Sequence, residues 1–170
     1  MECSVLYDTL KFPELVQLAQ YCEALSNGLR LPRWSDFRPS QITYLLGRLY
    51  VVEVLSGGAD YFFRLSGIYM KEIYGSDLAH CTLSSLPDTP LKVALRRNYD
   101  EVVASGQPVC AAGTLVWQGE SRIEIERLLV PFAGENGQLH IILGAVQCDA
   151  PLEMIQLYRG NGPGLFVPAG

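Results

Sequence analysis

Two arginines stand inside otherwise apolar segments. Arg64 lies in Tyr61-Phe62-Phe63-Arg64-Leu65, and Arg127 precedes Leu128-Leu129-Val130-Pro131-Phe132. A guanidinium stays charged at any ordinary pH, and out of water it needs a carboxylate, phosphate or carbonyl partner. Each arginine could pair internally with Glu53, Glu124, Glu126 or Asp77, or lie on a solvated sheet face. Each could instead recognise an anionic ligand inside a cavity. Other side chains with usable chemistry are the imidazole of His80, the thiol of Cys81 and the amide of Gln147. Taken together, Arg64, Tyr69, His80, Arg127 and Gln147 are the residues expected to line a cavity for a small apolar or anionic molecule.

Catalysis has no comparable set. Ser35, Ser40, Ser66, Ser84 and Ser85 lack a nucleophile-elbow context, and the two histidines are His80 and His140. Gly57-Gly58 reads as a turn, and neither a Walker-type nor a dinucleotide glycine pattern occurs. No catalytic residue is assigned and no enzyme is expected. The five cysteines, Cys3, Cys22, Cys81, Cys110 and Cys148, are odd in number and form no C-x-x-C. Neither a metal site nor a disulfide framework is expected, and reduced thiols in a cytosol fit best. A net charge of −5 with scattered arginines gives no electrostatic reason to bind nucleic acid. No run approaches the ~18 apolar residues of a spanning helix. Met1-Glu2-Cys3-Ser4 has no basic patch before an apolar run, so neither a membrane span nor a secretory signal is expected.

The elements that must position these groups follow from the apolar pattern. At 170 residues, 49% of them hydrophobic and 18% charged, the chain can bury a large core without a staple. Strands are expected over Leu49–Leu55, Tyr61–Leu65, Val109–Trp117, Arg122–Phe132 and Leu139–Gln147. The last is nearly continuous in apolar residues and should be central. Gly134-Glu135-Asn136-Gly137 and Gln118-Gly119-Glu120-Ser121 read as hairpin loops. In the fourth strand Ile123 and Ile125 alternate with Glu124 and Glu126, which look solvated. The pattern then turns continuously apolar, so a bulge or a change of cover is expected near Arg127.

Helices are expected over Pro13–Asn27, from Arg38 to Leu46, over Ile68–Tyr74 and Pro90–Ser105, and from Pro151 to Tyr158. A single helical turn is expected within Asp77–Leu86. The first helix carries an apolar stripe of Leu15, Leu18, Ala19, Cys22 and Leu25. It must cover its own sheet or a second copy, because each large apolar side chain left in water forgoes ~1.5–3 kcal/mol. The stripe is the expected dimer or partner contact. The segment after Gly160 is expected to be disordered unless docked.

Two strands, short helices, then three strands, with helices on one face of a five-stranded antiparallel sheet, is an α+β order that resembles the PAS fold. More narrowly, the chain is similar to a proteobacterial PAS-like family of unknown function. The likeness is carried by Leu31-Pro32-Arg33, Phe37-Arg38-Pro39 leading to Ile42 and Leu45-Leu46, Tyr61-Phe62-Phe63-Arg64-Leu65-Ser66-Gly67, Gly75 to Leu78, and Glu126-Arg127-Leu128-Leu129-Val130-Pro131-Phe132. The resemblance implies a sensory or interaction domain, typically dimeric, with a small cavity between sheet and helices. Residues 31–150 would form it, with a helical extension at 1–30 and a helix and tail at 151–170. Partners would be a second copy, a separate signalling protein, or a small ligand.

Two cofactors used by relatives are not expected. Light-sensing PAS domains attack a flavin with a mid-section cysteine and contact its ring with a last-strand glutamine, roughly where Cys81 and Gln147 stand. Here Ala79-His80-Cys81-Thr82-Leu83-Ser84 lacks the usual arginine and glutamine, and Ile123-Glu124-Ile125-Glu126 offers no asparagine. Haem-binding relatives place a histidine on the helix before the third strand, and Pro90–Ser105 has none. A domain with a filled core that serves only for association remains the alternative to a ligand sensor.

Overall fold

The computed structural model describes residues 8–117, 121–160, 162 and 164–169. Strands β1 (Leu49–Leu55) and β2 (Asp60–Ser66) form the first hairpin. Helices α2 (Ile68–Tyr74) and α3 (Pro90–Ser105) follow, then β3 (Val109–Val116), β4 (Arg122–Ala133) and β5 (Leu139–Cys148). Helix α1 (Pro13–Ser26) precedes them all, and α4 (Leu152–Arg159) and β6 (Leu165–Pro168) end the chain. The strands form one antiparallel sheet in the order β2-β1-β5-β4-β3-β6. The expected central position of β5 is observed.

The sheet has six strands rather than five. The segment after Gly160 docks: β6 pairs along the outer edge of β3, which would otherwise expose a row of unpaired backbone groups. Gly113 on β3 makes this possible, because a β-carbon there would run into the ring of Phe166. The segment Asp77–Leu86, where a single helical turn is expected, closes short turns from Leu78 to Cys81 and from Thr82 to Ser85 and also pairs with the free edge of β2. Phe63 N donates to Cys81 O at 2.9 Å and Leu83 N to Tyr61 O at 2.7 Å. The Arg38–Leu46 helix is a pair of 3₁₀ segments, Pro39–Gln41 and Thr43–Arg48. The loop at 118–120 lies outside the described residues.

Local signals explain the helix ends. Thr89 caps α3 by accepting from Lys92 N at 3.1 Å, and Gly106 closes it at φ +64°. Asn27 ends α1 in the left-handed region.

The two faces of the sheet bury separate clusters. The inner face, under α2, α3 and α4, holds Tyr50, Tyr61, Phe63, Leu95, Tyr99, Ile142 and Val146. The outer face is covered by α1 and the 3₁₀ segments and holds Leu15, Leu18, Leu128, Val130, Phe132 and Leu143. Helices α2 to α4 keep to one face, as expected, while α1 takes the other. This settles the parity switch in β4. Register is unbroken around Arg127, so the cause is a change of cover and not a bulge: α1 begins where the alternation stops.

The expected partner-contact stripe is corrected by this packing. Leu15, Leu18, Ala19 and Cys22 are fully buried on the chain's own sheet, and Leu25 packs half-buried beside them. An apolar stripe satisfied within one chain has nothing left to offer a partner.

Candidate ligand-binding site

Strand parity decides where each expected site residue points. On β4, odd positions face inward with Ile123, Ile125 and Leu129, so Arg127 lies under α3 and is only 2% exposed. Its Nη2 donates to Asn98 Oδ1 at 2.9 Å, and its Nη1 is buried with no well-formed hydrogen bond among the described residues. Among the described residues the guanidinium makes no ion pair. The hydroxyls of Tyr50 and Tyr99 are buried beside it, close enough to interact with the guanidinium and with each other. Burial raises the pKa of both phenols; the charge of Arg127 opposes the rise without cancelling it, so both remain O–H donors.

Arg127 also floors a groove of about 550 Å³ between α3 and the β3/β6 edge. Val93, Ala94, Arg97 and Glu101 of α3 form one wall, and Phe166 and Pro168 of β6 form the other. The guanidinium lies 5.7 Å from the centre of the Phe166 ring, within cation–π range. Two glycines set this geometry. The Tyr50 ring lies over Gly144 of β5 and the Phe166 ring over Gly113 of β3, and neither approach tolerates a β-carbon. The volume is within the range of small-molecule sites, about 300–1,000 Å³.

The other four expected residues do not join Arg127. Gln147 is buried on the outer face, cross-strand from Glu126, because β5 turns its even positions inward; its Oε1 accepts from Cys148 N at 3.4 Å. The flavin-contact position is thereby turned away from the inner face. Arg64 is exposed on the outer side of β2, 3.8 Å from Glu53 Oε2, and Glu53 Oε1 lies 3.5 Å from His140 Nε2. His80 is exposed at φ +66°, its backbone N–H on Phe63 O and its ring beside Phe62. Tyr69 is half-buried, its ring 3.6 Å beneath the guanidinium of Arg48. A single cavity lined by all five is replaced by a groove holding one of them.

Asn98, Arg97 and Phe166 were missed. Asn98 had a legible signal: it falls three residues after Leu95 and four before Val102, a polar break at the edge of an apolar stripe. Glu126, taken as solvated, is 3% exposed; it accepts from Lys11 N at 3.0 Å and Phe12 N at 3.4 Å, where the chain enters α1. Among the described residues no three metal-ligating side chains gather, and no helix is long and apolar enough to cross a membrane.

A curved antiparallel sheet in this order, with helices over its inner face, defines an α+β domain of PAS architecture. The profile of the PAS domain family matches residues 10–147, and the chain belongs to that family, whose members are sensory and signalling modules. No curated protein matches the chain. Similar solved structures are distant. One is the VqmA–ligand–DNA complex from Vibrio cholera, with 13% identity, 80% of this chain covered and a TM-score of 0.48. The chain spans 62% of the length of that protein. A second is the PAS domain of a Colwellia psychrerythraea protein, with 16% identity, 64% of this chain and 93% of that one covered, and a TM-score of 0.44. A third is VqmA bound to DPO, with 11% identity, 72% and 77% covered, and a TM-score of 0.47.

Proposed function

We propose that this PAS domain senses a small molecule in the groove between α3 and the β3/β6 edge. Occupancy shifts the population of a state that associates with a second copy or a separate signalling protein. One observation carries the reading: Arg127 is a buried cation with no ion pair among the described residues, and it lines a groove of small-molecule size. A buried charge with incomplete partners costs several kcal/mol, and a ligand that completes it recovers much of that cost. Native mass spectrometry of the purified chain tests the reading. A retained small-molecule mass that disappears in Arg127→Met supports it. A ligand-free dimer whose mass and assembly are the same in wild type and variant replaces it with a pure association module.

A further inference from the structure

We infer that the groove takes a monocarboxylate with an apolar body, its carboxylate set against Arg127. The inference rests on the groove being the sensing site and names what that site selects. Charge is the first argument. The Arg127 guanidinium donates to a neutral amide, Asn98 Oδ1, and among the described residues it has no carboxylate partner. Arginine cannot shed its proton to relieve burial, so the missing component is an anion. The groove's charged lining is Arg97, Arg127 and Glu101, two positive and one negative, which leaves one positive charge for a ligand to balance.

Shape and donor placement narrow the class. Arg127 and Asn98 lie side by side in the lining of the groove, while Nη1 of Arg127 and the phenol hydroxyls of Tyr50 and Tyr99 are buried. Part of the lining is apolar, with Val93 and Ala94 on α3 and Phe166 and Pro168 on β6, and Arg97 and Glu101 are the charged members of the α3 wall. A phosphate monoester would bring close to two charges where one is needed, with oxygens on every side. A carboxylate confines its acceptors to one end and suits a guanidinium geometrically. Such a ligand lies with its polar end on Arg127 and its body between α3 and β6.

Calorimetric titration of the full chain at pH 7 tests this with butyrate, octanoate and phenylacetate, each against its neutral amide. At least one acid is expected to bind about tenfold or more tightly than its amide, as a charge-assisted hydrogen bond requires. Asn98→Asp supplies an internal carboxylate to Arg127 and is expected to erase that preference while the domain stays folded. Arg127→Met should erase it as well. Amides binding as tightly as acids would overturn the carboxylate assignment and leave the groove as a sensing site for neutral molecules. Full acid preference in Asn98→Asp would overturn it too, by placing the charge recognition elsewhere. If neither class binds, the monocarboxylate assignment falls, while the sensing reading stands or falls separately with the native mass spectrum.

Discussion

Glu126 and Arg127 are adjacent on β4, both ionisable and both almost inaccessible, yet they face opposite sides of the sheet. Glu126 is completed by the chain itself: the backbone N–H groups of Lys11 and Phe12 reach it and fix the entrance of α1. Among the described residues Arg127 has only neutral neighbours, the Asn98 amide and the phenols of Tyr50 and Tyr99, and no carboxylate. The outer face is finished by local sequence, and the inner face is not. Burial alone therefore does not mark a functional charge; incomplete satisfaction beside an opening does.

The largest expected effect comes from breaking the finished side. Glu126→Ala removes the acceptor for two backbone donors and loosens the docking of α1. Urea denaturation should show a loss of about 2–3 kcal/mol, with the first turn of α1 losing hydrogen-exchange protection first. Unchanged protection there would mean that apolar packing alone holds the helix.

One residue along, the sign should reverse. Arg127→Met replaces an under-partnered buried charge with an apolar side chain of similar length. Its stability should lie between no change and a gain of about 1–2 kcal/mol. A loss as large as that of Glu126→Ala would make Arg127 a structural residue and end the contrast between the faces.

Cys110 offers a smaller and more discriminating readout, because it senses both charges with opposite sign. Its thiol is pushed up to about 12, first by burial and then by the charge of Glu126, while Arg127 pulls it down. Glu126→Gln should therefore lower that pKa and Arg127→Met should raise it, as measured by the pH dependence of Cys110 alkylation. The sign for stability follows. The folded state holds the thiol proton more tightly than the unfolded chain, so the contribution is complete below the unfolded value near 9.0 and is lost as pH rises toward 12. Partial solvent access keeps the loss under about 1 kcal/mol up to pH 9.5. Shifts of the same sign in both variants would show that the two charges do not both act on Cys110.

What the sequence revealed follows the same division. Strand bounds were legible to within a residue or so, because period-2 burial is written in residue type: Leu139 to Cys148 is apolar on both faces and proved central. The β4 parity switch was legible as well, and with it the arrival of cover at Leu128. Facing was harder. Gln147 and Arg127 sit in equally apolar contexts, and only the register of β5 against β4 turns one outward and the other inward. The groove was least legible, since its far wall is Phe166, in a tail whose strand pairing depends on the bare backbone at Gly113. A four-residue edge strand carries too little local preference to announce itself; its partner supplies the order.

Arg64 is the control that keeps the comparison fair. It has the same residue type as Arg127 and a similar apolar strand context, and in sequence the two were equal candidates. On the structure it is half-exposed, with a long 3.8 Å contact to Glu53, itself shared with His140. Exposed pairs of that kind contribute little, because water already solvates both ends and the long side chain loses entropy when held. Arg64→Ala should therefore cost no more than about 0.5 kcal/mol in urea denaturation and leave the acid-over-amide preference of the groove where it was. A stability cost several times larger, or a lost preference, would show that the charge on the outer face is coupled to the inner site. The distinction between finished and unfinished faces would then have to be redrawn around Glu53.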